Sequence, residues 1–254
     1  MTGICNLCLK EKELIKKSHI IPEFLYRQSG MYDDKHRMNF LCLTKNDILQ
    51  NRKTRQKQSG IYDRYILCAD CDNRIISSYE NYASNAIYGT NVLIEHCPDC
   101  INYGDTNPIF SICRNVDYAK YKLFLLSILF RASITKDVFF DEVKLSMENQ
   151  EKLRKMVYEG NPGKFNDFPF LVSTFVTSEN IPTDIFINPA KAEQNGKTTY
   201  TFVFAAMSFL FYEGENLETD EFDFFLMKPD NVLKIYHLNG EHGKQYFNAI
   251  IGLK

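Results

Sequence analysis

Cys5-Asn6-Leu7-Cys8, Ser18-His19-Ile20-Ile21-Pro22 and Cys68-Ala69-Asp70-Cys71-Asp72-Asn73-Arg74 are the stretches whose reading decides the fold. Two thiols separated by two residues leave a tight knuckle turn pointing the same way and bind one soft cation. Two such pairs supply the four ligands of a closed tetrahedral zinc site. Fifty-nine residues separate Cys8 from Cys68, too many for a simple ribbon, so the chain between them must itself fold. Structural disulfides are the competing reading. Against them, C-x-x-C pairs make poor staples and no secretory leader stands before Cys5, so zinc and a reducing cytoplasm are expected.

Outward from these stretches the local signals are mixed. Pro22-Glu23-Phe24-Leu25-Tyr26-Arg27 can open a helix, with Pro near the first position and Glu in the first turn. Met38–Leu43 and Ile61–Leu67 read as strands. After Asp72, the spacing of Ile75, Ile76, Tyr79, Tyr82, Ala83 and Ile87 is that of an amphipathic helix. Asp72 at its start either favours the helix dipole or binds a metal. Glu80 lies two turns further on, too far to share a ligand with Asp72, and is expected to pair with a basic group such as Arg131.

The order Cys-x-x-Cys, His-Ile-Ile-Pro, Ile-Leu-Cys-x-x-Cys resembles the zinc-containing HNH endonucleases. SHIIPEFLYR, ILCADCDNRIISSYENY and YKLFLLSILFRAS look closer still to uncharacterised bacterial and phage-associated HNH-like proteins, over about the first half of the chain. The resemblance implies a treble-clef, ββα-metal fold in which His19 is the general base. It places Asp63 where an orienting Asn is usual and Asp72 where the last His is usual. It further implies a structural zinc at Cys5, Cys8, Cys68 and Cys71, a catalytic Mg or Mn ion, and a setting in phage defence or mobile elements. The residue before the motif His is usually Asp and here is Ser18. Hard oxygen ligands such as Asp63 and Asp72 remain acceptable to Mg²⁺.

Charge is uneven along the chain. Residues 1–80 hold 14 basic against 10 acidic residues, whereas the remainder holds 16 against 22, so the cysteine-rich part is the basic one. Arg52, Lys53, Arg55 and Lys57 fall in a stretch without aliphatic residues, which reads either as a loop reaching DNA or RNA phosphates or as a solvated surface. With 44% hydrophobic and 24% charged residues the composition is that of a soluble globular protein. The most apolar run, Leu123–Phe130, is too short to span a bilayer and reads as a core helix.

That run lies in an expected helix over Asn115–Arg131, capped by Asp117, and a second helix is expected over Ser146–Tyr158 with Gly160 as its stop. Phe170–Thr177, Ile185–Asn188, Thr199–Tyr212, Phe222–Met227 and Val232–Leu238 read as strands, with Asn195-Gly196 as a hairpin turn. His96, Cys97, Cys100, Cys113 and Cys42 admit three readings: a second zinc site, a redox Cys-x-x-Cys, or free thiols. His237 and His242 stand without a carboxylate or cysteine cluster and read as incidental.

The expected fold class is therefore α+β, with an HNH-like treble-clef zinc module over residues 1–95. An α+β part of unknown role follows over 96–254, built from central buried helices and an antiparallel β-rich region. Two functions follow: a nuclease in which His19, Asp63 and Asp72 do the chemistry, or a zinc-stabilised adaptor without catalysis.

Overall fold

A computed structural model of the chain describes residues 1–28, 40–43, 55–57, 60–89, 97–104, 108–175, 185–194, 196–215 and 223–251. The fold is mixed α and β. Strands β1 (Thr2–Ile4) and β2 (Glu11–Glu13) form a small antiparallel hairpin, and β3 (Ser18–His19) pairs antiparallel with the distant β6 (Tyr62–Asp63) in a second two-stranded sheet. Between these two lies helix α1 (Glu23–Gln28), which starts directly after Pro22. A π-helical turn at Cys71–Ile76 leads into α2 (Ser77–Tyr88), which Gly89 ends with a left-handed φ of 65°.

The rest is organised by one nine-stranded sheet. Its strands are β4 (Phe40–Leu43), β5 (Arg55–Lys57), β7 (Asp99–Tyr103), β8 (Phe110–Arg114), β9 (Phe170–Thr174), β10 (Ile185–Gln194), β11 (Lys197–Phe204), β12 (Met207–Tyr212) and β13 (Leu233–His237). They lie in the order β5-β4-β10-β11-β12-β9-β13-β8-β7, antiparallel except for the pairs β4/β10 and β9/β13. The sheet thus takes strands from both sides of residue 95.

Helix α3 (Tyr118–Ile134) crosses one sheet face, and every residue from Tyr121 to Ala132 is buried. Asp117 caps it by accepting from Lys120 N–H at 3.0 Å. Helix α4 (Met147–Glu159) is capped by Ser146 and stopped by Gly160 (φ 70°), as its sequence signals require. Alternation along β11 turns Tyr200, Phe202 and Phe204 toward the cluster of α2, α3 and α4 and Val203 toward the opposite face. That opposite face is covered by α5 (Gly240–Ile251), which seats Ile250 and Ile251 beside Val203 and Ile187. Among the described residues no helix is long and apolar enough to cross a membrane.

Several elements differ from expectation. Thr199–Tyr212 is a hairpin, because Ala205 and Ala206 take left-handed φ values of 53° and 60° and reverse the chain without Gly or Asn. Ile61–Leu67 is strand only at Tyr62–Asp63. Tyr65 then turns left-handed (φ 59°), and Ile66 and Leu67 give their carbonyls to Asn6 and Ile15. Asp223–Phe225 is a turn held by the Lys228–Asp223 ion pair at 2.8 Å, whereas Phe222 lies outside the described residues. Strand β10 runs on past Asn188 through a bulge at Asn188-Pro189, where proline has no N–H for the ladder. The register Gln194↔Lys197 fits the two-residue turn read at 195–196, of which Gly196 (φ 70°) is described.

Candidate metal centre and adjoining polar site

The first knuckle closes because Leu9 adopts a left-handed φ of 57°, which lets its N–H reach Cys5 O at 2.8 Å. Asn6 binds this knuckle to the second: its backbone N–H and side-chain Nδ2 both donate to Ile66 O, at 3.1 and 2.9 Å. Cys68 N–H donates to Cys5 Sγ at 3.3 Å, and Arg154 on α4 donates to Leu7 O at 2.6 Å. Cys71 begins the π-helical turn, so a helix rather than a loop carries the fourth thiol.

Cys5, Cys8, Cys68 and Cys71 bring their Sγ atoms within 4.8 Å of one another, with Cys8 and Cys68 4.0 Å apart. A tetrahedron with metal–sulfur bonds of about 2.3 Å has edges of roughly 3.8 Å. The donor set therefore fits, and the four cysteines could hold a metal ion such as zinc. The thiol that Cys71 donates to Cys5 holds Cys5 down at about 4. Giving that bond, together with burial, pushes Cys71 up, and burial also raises Cys68. Four thiolates this close repel one another, and a divalent cation is what would let all four ionise.

The His19 strand is fixed from several sides. Arg131, fully buried on α3, donates to His19 O at 2.6 Å and to Ser127 O at 3.2 Å. Its other nitrogen lies 2.8 Å from Glu80 on α2, the basic partner expected for that carboxylate. Tyr62 packs edge-on against the His19 ring, 6.3 Å between centroids. Gly60 lies so near that a Cβ there would meet His19 Cδ2 at 3.3 Å and Tyr26 Cε2 at 3.1 Å. Burial lowers the proton affinity of His19; the charges of Glu23 and Asp72 act against that, and Arg131 and Lys17 add to it.

Ser18 is fully buried, and its hydroxyl donates to Asp72 Oδ1 at 2.6 Å, joining strand β3 to the helix start. Asp63 sits opposite Ser18 in the strand pair. Its Oδ1 accepts from Arg64 N–H at 2.6 Å, and its Oδ2 accepts from Thr135 Oγ1 at 2.7 Å and Lys136 N–H at 3.0 Å. Burial opposes the Asp63 charge, but these bonds outweigh it and hold the carboxyl below its ordinary range. Asp63 thus ties the β3/β6 strand pair to the end of α3. Of the basic stretch, Arg52 and Lys53 lie outside the described residues, while Arg55 and Lys57 are placed by backbone alone on β5, an edge of the sheet.

The second cysteine group is not a metal site. Strands β7 and β8 set Cys100 directly opposite Cys113, Cα–Cα 4.0 Å, and the two form a disulfide. That bond takes two ligands from the expected zinc set and takes Cys100 from the expected Cys97–Cys100 redox pair, leaving Cys97 as a free thiol. His96 and the side chain of Cys42 lie outside the described residues. Gly104-Asp105 and Asn107-Pro108, between the two strands, are the turn signals from which this pairing could have been found.

Fold and site together define a mixed α/β protein with a four-cysteine cluster, suited to zinc, near its N-terminus. Among known proteins, no family model, no curated protein and no solved structure matches this chain.

Proposed function

We propose that the protein is a metal-dependent nuclease of the HNH type, built on a zinc-bearing treble clef, with His19 as general base and Asp72 as ligand of a Mg or Mn ion. One observation carries this reading: Ser18 and Asp72 meet at 2.6 Å beside His19, so the helix supplies a carboxylate where the strand has lost one. The knuckle, the strand pair and the helix bearing the last cysteine support the treble clef. His19 stays neutral near pH 7 because burial disfavours its charge, which leaves a ring nitrogen free to take a proton from water. Arg131 holds the backbone of that residue, and Ser18 orients the Asp72 carboxylate. A divalent ion at Asp72 would stabilise the charge that develops on the phosphate. Arg52, Lys53, Arg55 and Lys57 would bind the DNA or RNA backbone. Phage defence or mobile elements belong to the same proposal as the setting.

A second reading, a zinc-stabilised adaptor without catalysis, is favoured by Asp63, whose two oxygens are already engaged in joining strand pair to helix. The deciding experiment incubates purified protein with plasmid DNA and with single-stranded RNA in Mg²⁺ or Mn²⁺. Cleavage by wild type that His19→Ala abolishes, with metal content and Tm unchanged, supports the nuclease. No cleavage of either substrate with either ion leaves the adaptor.

A further inference from the structure

Among the described residues, the nine-stranded sheet ends at β7, which pairs with β8 and leaves its other side unpaired. All five residues from Asp99 to Tyr103 are exposed. Proteins blunt such edges with lysine, other charges or proline within the strand. The opposite edge, β5, has Arg55 and Lys57 among its three residues, whereas Cys100-Ile101-Asn102 at the centre of β7 has none of these devices. The strand is nevertheless fastened to its neighbour. Cys100 is bonded to Cys113, and Asn102 Oδ1 accepts from Ser111 Oγ at 2.5 Å.

The direction of the backbone groups follows from this pairing. In an antiparallel ladder, facing residues alternate between hydrogen-bonded pairs and closer pairs without such bonds. The Cα atoms of Cys100 and Cys113 lie 4.0 Å apart, which marks the closer kind. Tyr103 O accepts from Ile109 N–H at 2.7 Å, so that carbonyl turns toward β8. Asp99, Ile101 and Tyr103 thus direct their backbone groups to β8, and Cys100 and Asn102 direct theirs outward. The side chains add an apolar strip. Ile101 and Tyr103 share a face with Ile112 and Phe110 of β8, opposite the face on which Cys113 joins the α3 core. Tyr103 stacks on Phe110 at 5.0 Å between centroids, and Phe224 meets Phe110 edge-on at 5.7 Å. Ile101, Tyr103 and Phe224 remain 43%, 37% and 47% exposed, so the strip reaches the sheet edge uncovered.

We infer that β7 is the interface between two copies of this chain, paired antiparallel about a two-fold axis at Ile101. That register sets Cys100 opposite Asn102 of the second copy and the reverse, so the outward N–H and C=O groups meet in two hydrogen-bonded pairs. Ile101 faces its own counterpart in the closer pair between them, and the two apolar strips join. Asp99 stands opposite Tyr103 of the second copy, so no like charges meet. Pro98, without an N–H, ends the ladder. The pairing continues one sheet through both chains, and it does not depend on the nuclease reading.

The test is sedimentation equilibrium of the full chain over a concentration series. Wild type should reach the mass of two chains. Ile101→Lys and Ile101→Glu alter an exposed side chain. Each should weaken association about tenfold or more, by losing apolar contact and setting like charges face to face. Mixed in equal amounts, the two variants should recover the two-chain mass, because the axis then sets opposite charges face to face. Wild type at the mass of one chain throughout overturns the inference. So does a dimer that Ile101→Lys leaves intact, or a mixture of the folded variants that does not recover. Should either variant not fold, amide exchange of wild type decides. Cys100 and Asn102 should gain protection with rising concentration, and unchanged exchange there overturns the pairing.

Discussion

At His19 a buried environment meets the general-base role proposed for the ring. Because burial disfavours the imidazolium, the neutral base persists below the ordinary imidazole pKa of 6.5. The acid limb of any cleavage rate should therefore lie below pH 6.5, and His19→Ala should cut the rate by about 10²–10⁴. A rate that titrates at or above 6.5 points to another base. The same shift bears on stability. The unfolded chain holds a proton on this ring that the folded chain gives up, so stability is whole above the unfolded pKa and falls as pH drops through the lowered folded one. Asp63, held low by its three bonds, loses its contribution in the same direction under stronger acid. The urea midpoint should accordingly be lower at pH 5 than at pH 7, and less so in His19→Gln. Arg131 is the other residue on which the site leans. It serves His19 O, Ser127 and Glu80 at once, and removing it strands a half-buried carboxylate. Arg131→Met should cost about 3 kcal/mol or more in urea unfolding, with Arg131→Lys a poor rescue because an ammonium lacks the planar fork.

At the scale of elements, the β11/β12 hairpin carries an avoidable cost. Two alanines occupy left-handed backbone, where a Cβ crowds the carbonyl and glycine does not. Ala206→Gly should therefore raise unfolding free energy, by about 1 kcal/mol, despite the entropy that glycine adds to the unfolded chain. A fall in urea midpoint would show that packing of the Ala206 methyl, which is buried, outweighs backbone strain. The β10/β11 and β11/β12 hairpins contrast as signals. Asn195-Gly196 was readable because its residues favour positive φ, whereas Ala205-Ala206 was hidden inside one long apolar run. Phe222–Met227 reads as strand for the same reason, and in its described part an ion pair across the turn decides otherwise.

For the whole molecule, the cysteine cluster is the point where distant segments are joined. Cys5 and Cys8 come from one end of the N-terminal region and Cys68 and Cys71 from the other, and Arg154 of α4 holds the knuckle between them. Because an unfolded chain offers no such site, metal-binding energy becomes folding energy. Chelation or Cys68→Ser should thus lower Tm much more than Cys113→Ser, which opens only a hairpin cross-link of 13 residues' separation. Metal analysis should find close to one zinc per chain. A content near zero would remove the metal centre, and a content near two would call for ligands outside the described residues.

The sequence by itself determined what is written in short periods and fixed spacings. The paired knuckles, the Asp117 and Ser146 caps, the Gly160 stop, the buried helix through Leu123–Phe130 and most strands of the sheet are of this kind, since each rests on residues a few positions apart. The tertiary structure decided what depends on partners far along the chain. Only folding brings Ser18 to Asp72, gives Asp63 to Thr135 and Lys136, and sets Cys100 against Cys113 rather than Cys97. Strand order is likewise beyond local reading: β4 joins β10 in parallel across some 140 residues, and β13 inserts between β9 and β8. The same holds for His237, which reads as incidental in the sequence because its partner Ser111 lies 126 positions away. A hydrogen bond has no signature in spacing when its two ends meet only through the packing of a sheet.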